Sequence, residues 1–277
     1  MKNLEREKFM KKLLQNIFSV GNIYLNGKKF KVITIAGFRI KKKIFKPIKS
    51  IYDRTAIPAE GIQYVENPEI WLSNIEVKQE LLKTGRPFEH EDMVIANKTI
   101  GKYFLHNVKH VVNIGSGVGT FEWNNAPKHP DIKFIASEFD EKSTQWVLEN
   151  RKLENVIYCT DNIPTLLNKY GKFDLAITVD VIEHIQDYKS FLDEFSLLAD
   201  KAVISTPNRD RYKDIQNLIT PPYKWHVEEF NAGELYFILK MYYKNVTLYS
   251  LKNPYIEELT EVGLYSDYEK LVAYCEK

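Results

Sequence analysis

HVVNIGSGVG, residues His110–Gly119, is an apolar run that ends in three glycines at alternate positions. Val111, Val112 and Ile114 make the run suitable for a buried parallel strand. Gly115, Gly117 and Gly119 then form a turn. Without Cβ atoms, such a turn lets the backbone pass close to a ligand at the mouth of an open α/β sheet. The plainer reading is a tight strand-to-helix turn with no ligand. Spacing narrows the ligand class, because in the dinucleotide pattern G-x-G-x-x-G the third glycine would fall at Thr120. A nicotinamide or flavin enzyme is therefore disfavoured.

Four further apolar runs each end in a polar residue. Ile132–Ala136 leads to Glu138, and Val156–Cys159 leads to Asp161 and Asn162. FDLAITVD, Phe173–Asp180, runs into VIEHI, and AVISTPN spans Ala202–Asn208. Together with G-x-G-x-G, this ordered set resembles the class I S-adenosylmethionine-dependent methyltransferases, including the ubiquinone-type small-molecule enzymes, over roughly residues 85–277. The resemblance implies an α/β fold: a Rossmann-like seven-stranded sheet, mostly parallel, with an antiparallel last strand. Tyr242–Leu251 would be its sixth strand and Tyr268–Cys275 its seventh, with helices at 89–105 and 231–241.

The same resemblance assigns S-adenosylmethionine as cofactor, with Gly115, Gly117 and Gly119 against it, Glu138 on the ribose hydroxyls and Asp161 with Asn162 near the adenine. Asn113 stands where the family usually has an acid facing the methionine amino group. An amide contributes no charge attraction there, so Asp180 is expected to share that contact. In the family the helix before the first strand helps close the pocket, which makes Arg86, Phe88 and His90 candidates for its lining.

Asp180, Glu183 and His184 form D-V-I-E-H where a sheet exposes its ligand crevice. The resemblance offers two precedents. Small-molecule methyltransferases carry an E-H pair here without metal, so that His184 or His226, beside Asp180, would be the catalytic base. Small-RNA 3′-end 2′-O-methyltransferases carry a similar motif plus a later histidine that together hold a divalent ion. Here the matching set would be Asp180, Glu183, His184 and His226, a donor set suited to a transition metal. In a third reading Glu183 only pairs at the next helix and His184 packs under the cofactor. Methyl transfer from a sulfonium depends chiefly on alignment, and Tyr212, Tyr223 and Trp225 would close the pocket.

The 277 residues are 44% hydrophobic, enough for an ordinary core. Cys159 and Cys275 are read as reduced thiols. No apolar run approaches the roughly 20 residues of a membrane span, and MKNLEREKFMKK lacks the apolar centre of a signal peptide. A cytoplasmic protein is expected. Its net charge of +2 hides a split: residues 1–49 hold 14 Lys or Arg against two acids, and the rest hold 25 against 35. Such a head suits a polyanion, an anionic membrane surface at the inner face, or the protein's own acidic body.

A basic N-terminal extension, 1–75, is expected before a methyltransferase domain, 76–277. Within it, residues 4–20 read as an amphipathic helix with Phe9, Leu13, Ile17 and Val20 on one face. NIYLNGKKFKVITIAGFRI reads as a hairpin turning at Asn26-Gly27, with a second turn near Gly37 and the run Lys41–Lys43 after it. This short stretch is similar to segments heading some bacterial surface-saccharide transferases. A saccharide or saccharide precursor is accordingly the expected acceptor. The alternatives are an RNA terminus, disfavoured by the acidic domain, a quinone-like small molecule, and a cofactor-binding module without turnover.

Overall fold

The computed structural model describes the backbone strands 18–25, 28–35 and 38–44, then residues 89, 91–212, 221, 226–251 and 256–277. Residues 4–17 of the expected amphipathic helix, Arg86, Phe88, His90, Tyr223 and Trp225 lie outside the described residues.

β1 (Phe18–Leu25), β2 (Lys28–Ile35) and β3 (Phe38–Ile44) form an antiparallel sheet in that order. The breaks between strands fall at 26–27 and 36–37, where the Asn-Gly and Gly turns were expected. Two expectations are corrected. Phe18 and Val20 belong to β1, opposite Ile35 and Ile33, so a helix does not run to residue 20. Lys41–Lys43 is part of β3, opposite Val32, Lys31 and Phe30. Both corrections share a cause, since β-rich runs on either side of a tight turn pair along their whole length.

The second sheet has eight strands, ordered β10-β9-β11-β8-β7-β4-β5-β6. Its parallel part is β4 (His110–Ile114), β5 (Lys133–Ser137), β6 (Val156–Cys159), β7 (Leu175–Val179) and β8 (Lys201–Pro207). β11 (Lys270–Glu276) lies antiparallel between β8 and β9 (Asn245–Leu251). This is the expected Rossmann-like arrangement with an antiparallel last strand. It gains one strand beyond seven, β10 (Leu259–Val262), antiparallel to the outer edge of β9.

Alternation along each strand feeds two cores. Val112, Ala176, Ile204 and Leu271 pack under α4 (Ile163–Tyr170), α5 (Tyr188–Leu198) and α6 (Ala232–Leu239). Their neighbours Val111, Ile177, Val203 and Val272 pack under α1 (Glu91–Phe104), α2 (Thr120–Asn125) and α3 (Glu141–Asn150). A sheet buried on both faces requires such near-continuous apolar strands. β4 is first in the chain yet has β5 on one side and β7 on the other. The connections therefore diverge at β4 and β7, which opens a crevice beyond their carboxyl ends.

Candidate active site

The glycine turn sits at that crevice. Gly115, Gly117 and Gly119 all have positive φ, at 75°, 55° and 71°. A Cβ at Gly115 would lie 2.5 Å from Val181, whereas at Gly117 it would meet nothing within 4 Å. The first glycine is thus required by packing, and the second leaves open space beside the backbone. The Gly117 N–H donates to Glu138 Oε2 at 2.8 Å, and the Asp140 N–H donates to Oε1 at 3.1 Å. Each carboxylate oxygen keeps an accepting lone pair. Burial pushes the Glu138 carboxyl up to about 7, against the pull of these two hydrogen bonds.

Asn113 is buried and donates through Nδ2 to Glu122 Oε1 at 2.9 Å. Glu122, on α2, is fully buried, and burial raises its carboxyl to about 7. Asp161 has turned to Lys169 on α4, at 2.7 Å and 2.9 Å. Asn162 caps α4, its side-chain oxygen accepting from the Thr165 N–H at 3.0 Å. The two residues expected at the adenine therefore each have a local partner.

Glu183, His184 and His226 converge beyond β7, with one ligand-type atom from each lying within 4.8 Å of the others. Glu183 and His184 lie on a 3-10 turn, Ile182–His184, next to the strand end. His226 is brought in from far along the chain because the Val227 and Glu228 N–H groups both donate to the Glu183 carbonyl, at 2.7 Å and 3.2 Å. The two imidazoles meet edge to face with centroids 4.9 Å apart. Glu183 is buried, with Oε2 accepting from Thr206 Oγ1 at 3.0 Å and Oε1 without a hydrogen-bond partner. Burial first, and the charge of Asp180 second, raise its carboxyl well above the usual range.

Asp180 stands apart from this trio. Its carboxylate pairs with the Lys270 ammonium and accepts from Ser205 Oγ at 3.1 Å. Burial opposes its ionisation, but Lys270 and Ser205 outweigh burial and hold it below the ordinary carboxylate range. Asp180 also has φ of 56°, a left-handed conformation uncommon for a side-chain-bearing residue. Of the four residues expected as ligands, Glu183, His184 and His226 are brought together, and Asp180 pairs with Lys270.

Several contributors carried no local signal. Glu229 accepts from or shares a proton with His226 Nδ1 at 2.6 Å, and Arg211 Nη2 lies 3.3 Å from the same oxygen. This contact fixes the ring. Thr206 and Ser205 were visible only as polar residues ending the fifth parallel strand. Lys270 opens a mostly apolar strand and gives no hint of its partner 90 residues earlier.

No family model matches the chain, and no curated protein matches its sequence. Solved structures do match. One is the plantazolicin methyltransferase BpumL in complex with SAH, at 10% identity and TM-score 0.54, covering 82% of this chain and 99% of that one. Another is BpumL with a pentazolic desmethylPZN analogue and SAH, at 12% identity and TM-score 0.54, covering 78% and 94%. With the parallel core, the inserted antiparallel strand and the glycine turn at the point of divergence, the chain has the fold of class I S-adenosylmethionine-dependent methyltransferases.

Proposed function

We propose that this chain is a methyltransferase that moves the methyl group of S-adenosylmethionine to a hydroxyl oxygen. The carrying observation is the convergence of Glu183, His184 and His226 just past Val181, the residue that fills the space against Gly115. The open space at Gly117 and the spare lone pairs of Glu138 fit a nucleoside whose ribose hydroxyls donate to a carboxylate. Asn162 would read the adenine through its amide N–H groups, its side-chain oxygen being held by the Thr165 N–H. Within the crevice, His184 or His226 would accept the acceptor's proton, and Glu229 would stabilise the imidazolium on His226. Oxygen is favoured over carbon because two imidazoles and a carboxylate are suited to removing or holding a hydroxyl proton.

The trio also fits a divalent transition ion, since a carboxylate and two imidazoles bring ligand-type atoms within 4.8 Å of one another and Glu183 Oε1 is buried without a hydrogen-bond partner. Glu183, His184 and His226 would hold it, and it would supply a Lewis acid for the acceptor oxygen. Chelation followed by dialysis would then abolish transfer and added Mn²⁺ would restore it; unchanged transfer would leave the histidines acting as bases alone.

We place the acceptor among saccharides or their activated precursors, and the chain in the cytoplasm with its basic residues 1–49 toward an anionic surface. Support comes from the likeness of the N-terminal stretch and from the charge split. Labelled methyl supplied as S-adenosylmethionine to separated saccharide, lipid and RNA fractions should appear in saccharide. Label in RNA would instead select a ribose hydroxyl, and label in none would sink the proposal.

A further inference from the structure

Lys270 is buried, with only 7% of its surface exposed. It opens β11 and is held in register on both sides, opposite Pro207 of β8 and Leu251 of β9. Its carbonyl also accepts from Ser250 Oγ at 2.7 Å. This fixed backbone delivers Nζ to Asp180, just past β7. Among the described residues Asp180 is the only hydrogen-bond partner of that ammonium, which has three N–H groups to donate. A buried lysine with donors unspent is costly unless something else receives them. The pair lies beside the glycine turn, since Val181, next to Asp180, fills the space against Gly115. Asn113 brings no charge there; its amide nitrogen donates to Glu122, and its Oδ1 has no hydrogen-bond partner.

We infer that Lys270 and Asp180 together receive the amino-acid end of S-adenosylmethionine, the lysine taking its α-carboxylate and the aspartate its α-ammonium. The assignment rests on the methyltransferase reading above. A zwitterion presents one charge of each sign, and the ion pair offers one of each in return, through charge-assisted hydrogen bonds. A lone carboxylate at this place would attract the ammonium and repel the carboxylate. Lys270 removes that repulsion, and between turnovers the two side chains neutralise each other.

The test is calorimetric binding to the full chain of three ligands: S-adenosylhomocysteine, its decarboxylated counterpart that keeps the amine, and 5′-methylthioadenosine, which has neither group. Lys270→Met should weaken S-adenosylhomocysteine by about ten- to a hundredfold and move the other two by no more than about twofold. Asp180→Asn should weaken both amine-bearing ligands and spare methylthioadenosine, and it decides the matter if Lys270→Met does not fold. Equal weakening of all three ligands by either variant, or none, makes the pair a structural clasp and overturns the inference. If the wild-type chain binds none of the three, the cofactor reading falls and takes this assignment with it.

Discussion

Glu122 and Glu138 link protonation to both stability and binding. Burial raises each carboxyl to about 7, against about 4.3 for an unfolded glutamate. Between these values the folded chain holds more protons than the unfolded one, so stability falls as pH rises from about 4.5 to about 7. Glu122→Gln should therefore raise the unfolding free energy at pH 8 by about 1–3 kcal/mol and flatten its pH dependence, read by urea denaturation at several pH values. Glu138 adds a second effect, because ribose hydroxyls would donate to its ionised form. Affinity for S-adenosylhomocysteine should strengthen from pH 6 to pH 8, and Glu138→Gln should bind weakly without that slope. The glycines separate in the same way. Gly117→Ala should cost about 1 kcal/mol for its left-handed backbone alone, whereas Gly115→Ala should cost more because Val181 must also shift. At this scale the sequence was informative where chemistry is local. Gly115, Glu183 and His184 could be picked out because they adjoin a strand end, but the pairing of Asp180 with Lys270 could not, since nothing near either residue names the other.

Each helix of the α4–α6 layer begins on a capping side chain, and α6 has the fullest set. Asn231 accepts from the Glu234 N–H at 2.8 Å while the Glu234 carboxylate accepts from the Asn231 N–H at 3.2 Å, the reciprocal arrangement of a capping box. The segment carrying His226 and Glu229 runs directly into this cap. Asn231→Ala should therefore destabilise the chain by about 1 kcal/mol in thermal or urea unfolding. It should also raise the acceptor KM more than it changes cofactor affinity, because His226 loses a fixed neighbour. The parallel strands were legible as elements, since strands buried on both faces must be short apolar runs. β10 was not, because Leu259–Val262 is a four-residue edge strand of mixed polarity. The stretch around Phe18 misled for a different reason: apolar residues there satisfy a helical period and a strand period at once, and pairing with Lys28–Ile35 makes it a strand.

Across the whole molecule the charge is divided, with 14 Lys or Arg against two acids in residues 1–49 and an excess of acids after them. If the head meets an anionic surface, the chain should sediment with vesicles containing phosphatidylglycerol at low salt and be released at high salt. Deletion of 1–49 should abolish sedimentation while leaving cofactor affinity within about twofold, since the residues proposed to bind it all lie beyond Gly101. Equal sedimentation of the deleted chain would remove the surface idea. Composition could announce this asymmetry but not its target, because lysines attract any polyanion alike. The sheet itself carries a consequence for how the chain is made. β11 separates β8 from β9, yet it is synthesised after both. Until it emerges, β8 exposes a bare edge and the β9–β10 ribbon has nowhere to dock. A chain cut after residue 262 would keep a half-built sheet with open edges on either side of the gap, and it should aggregate.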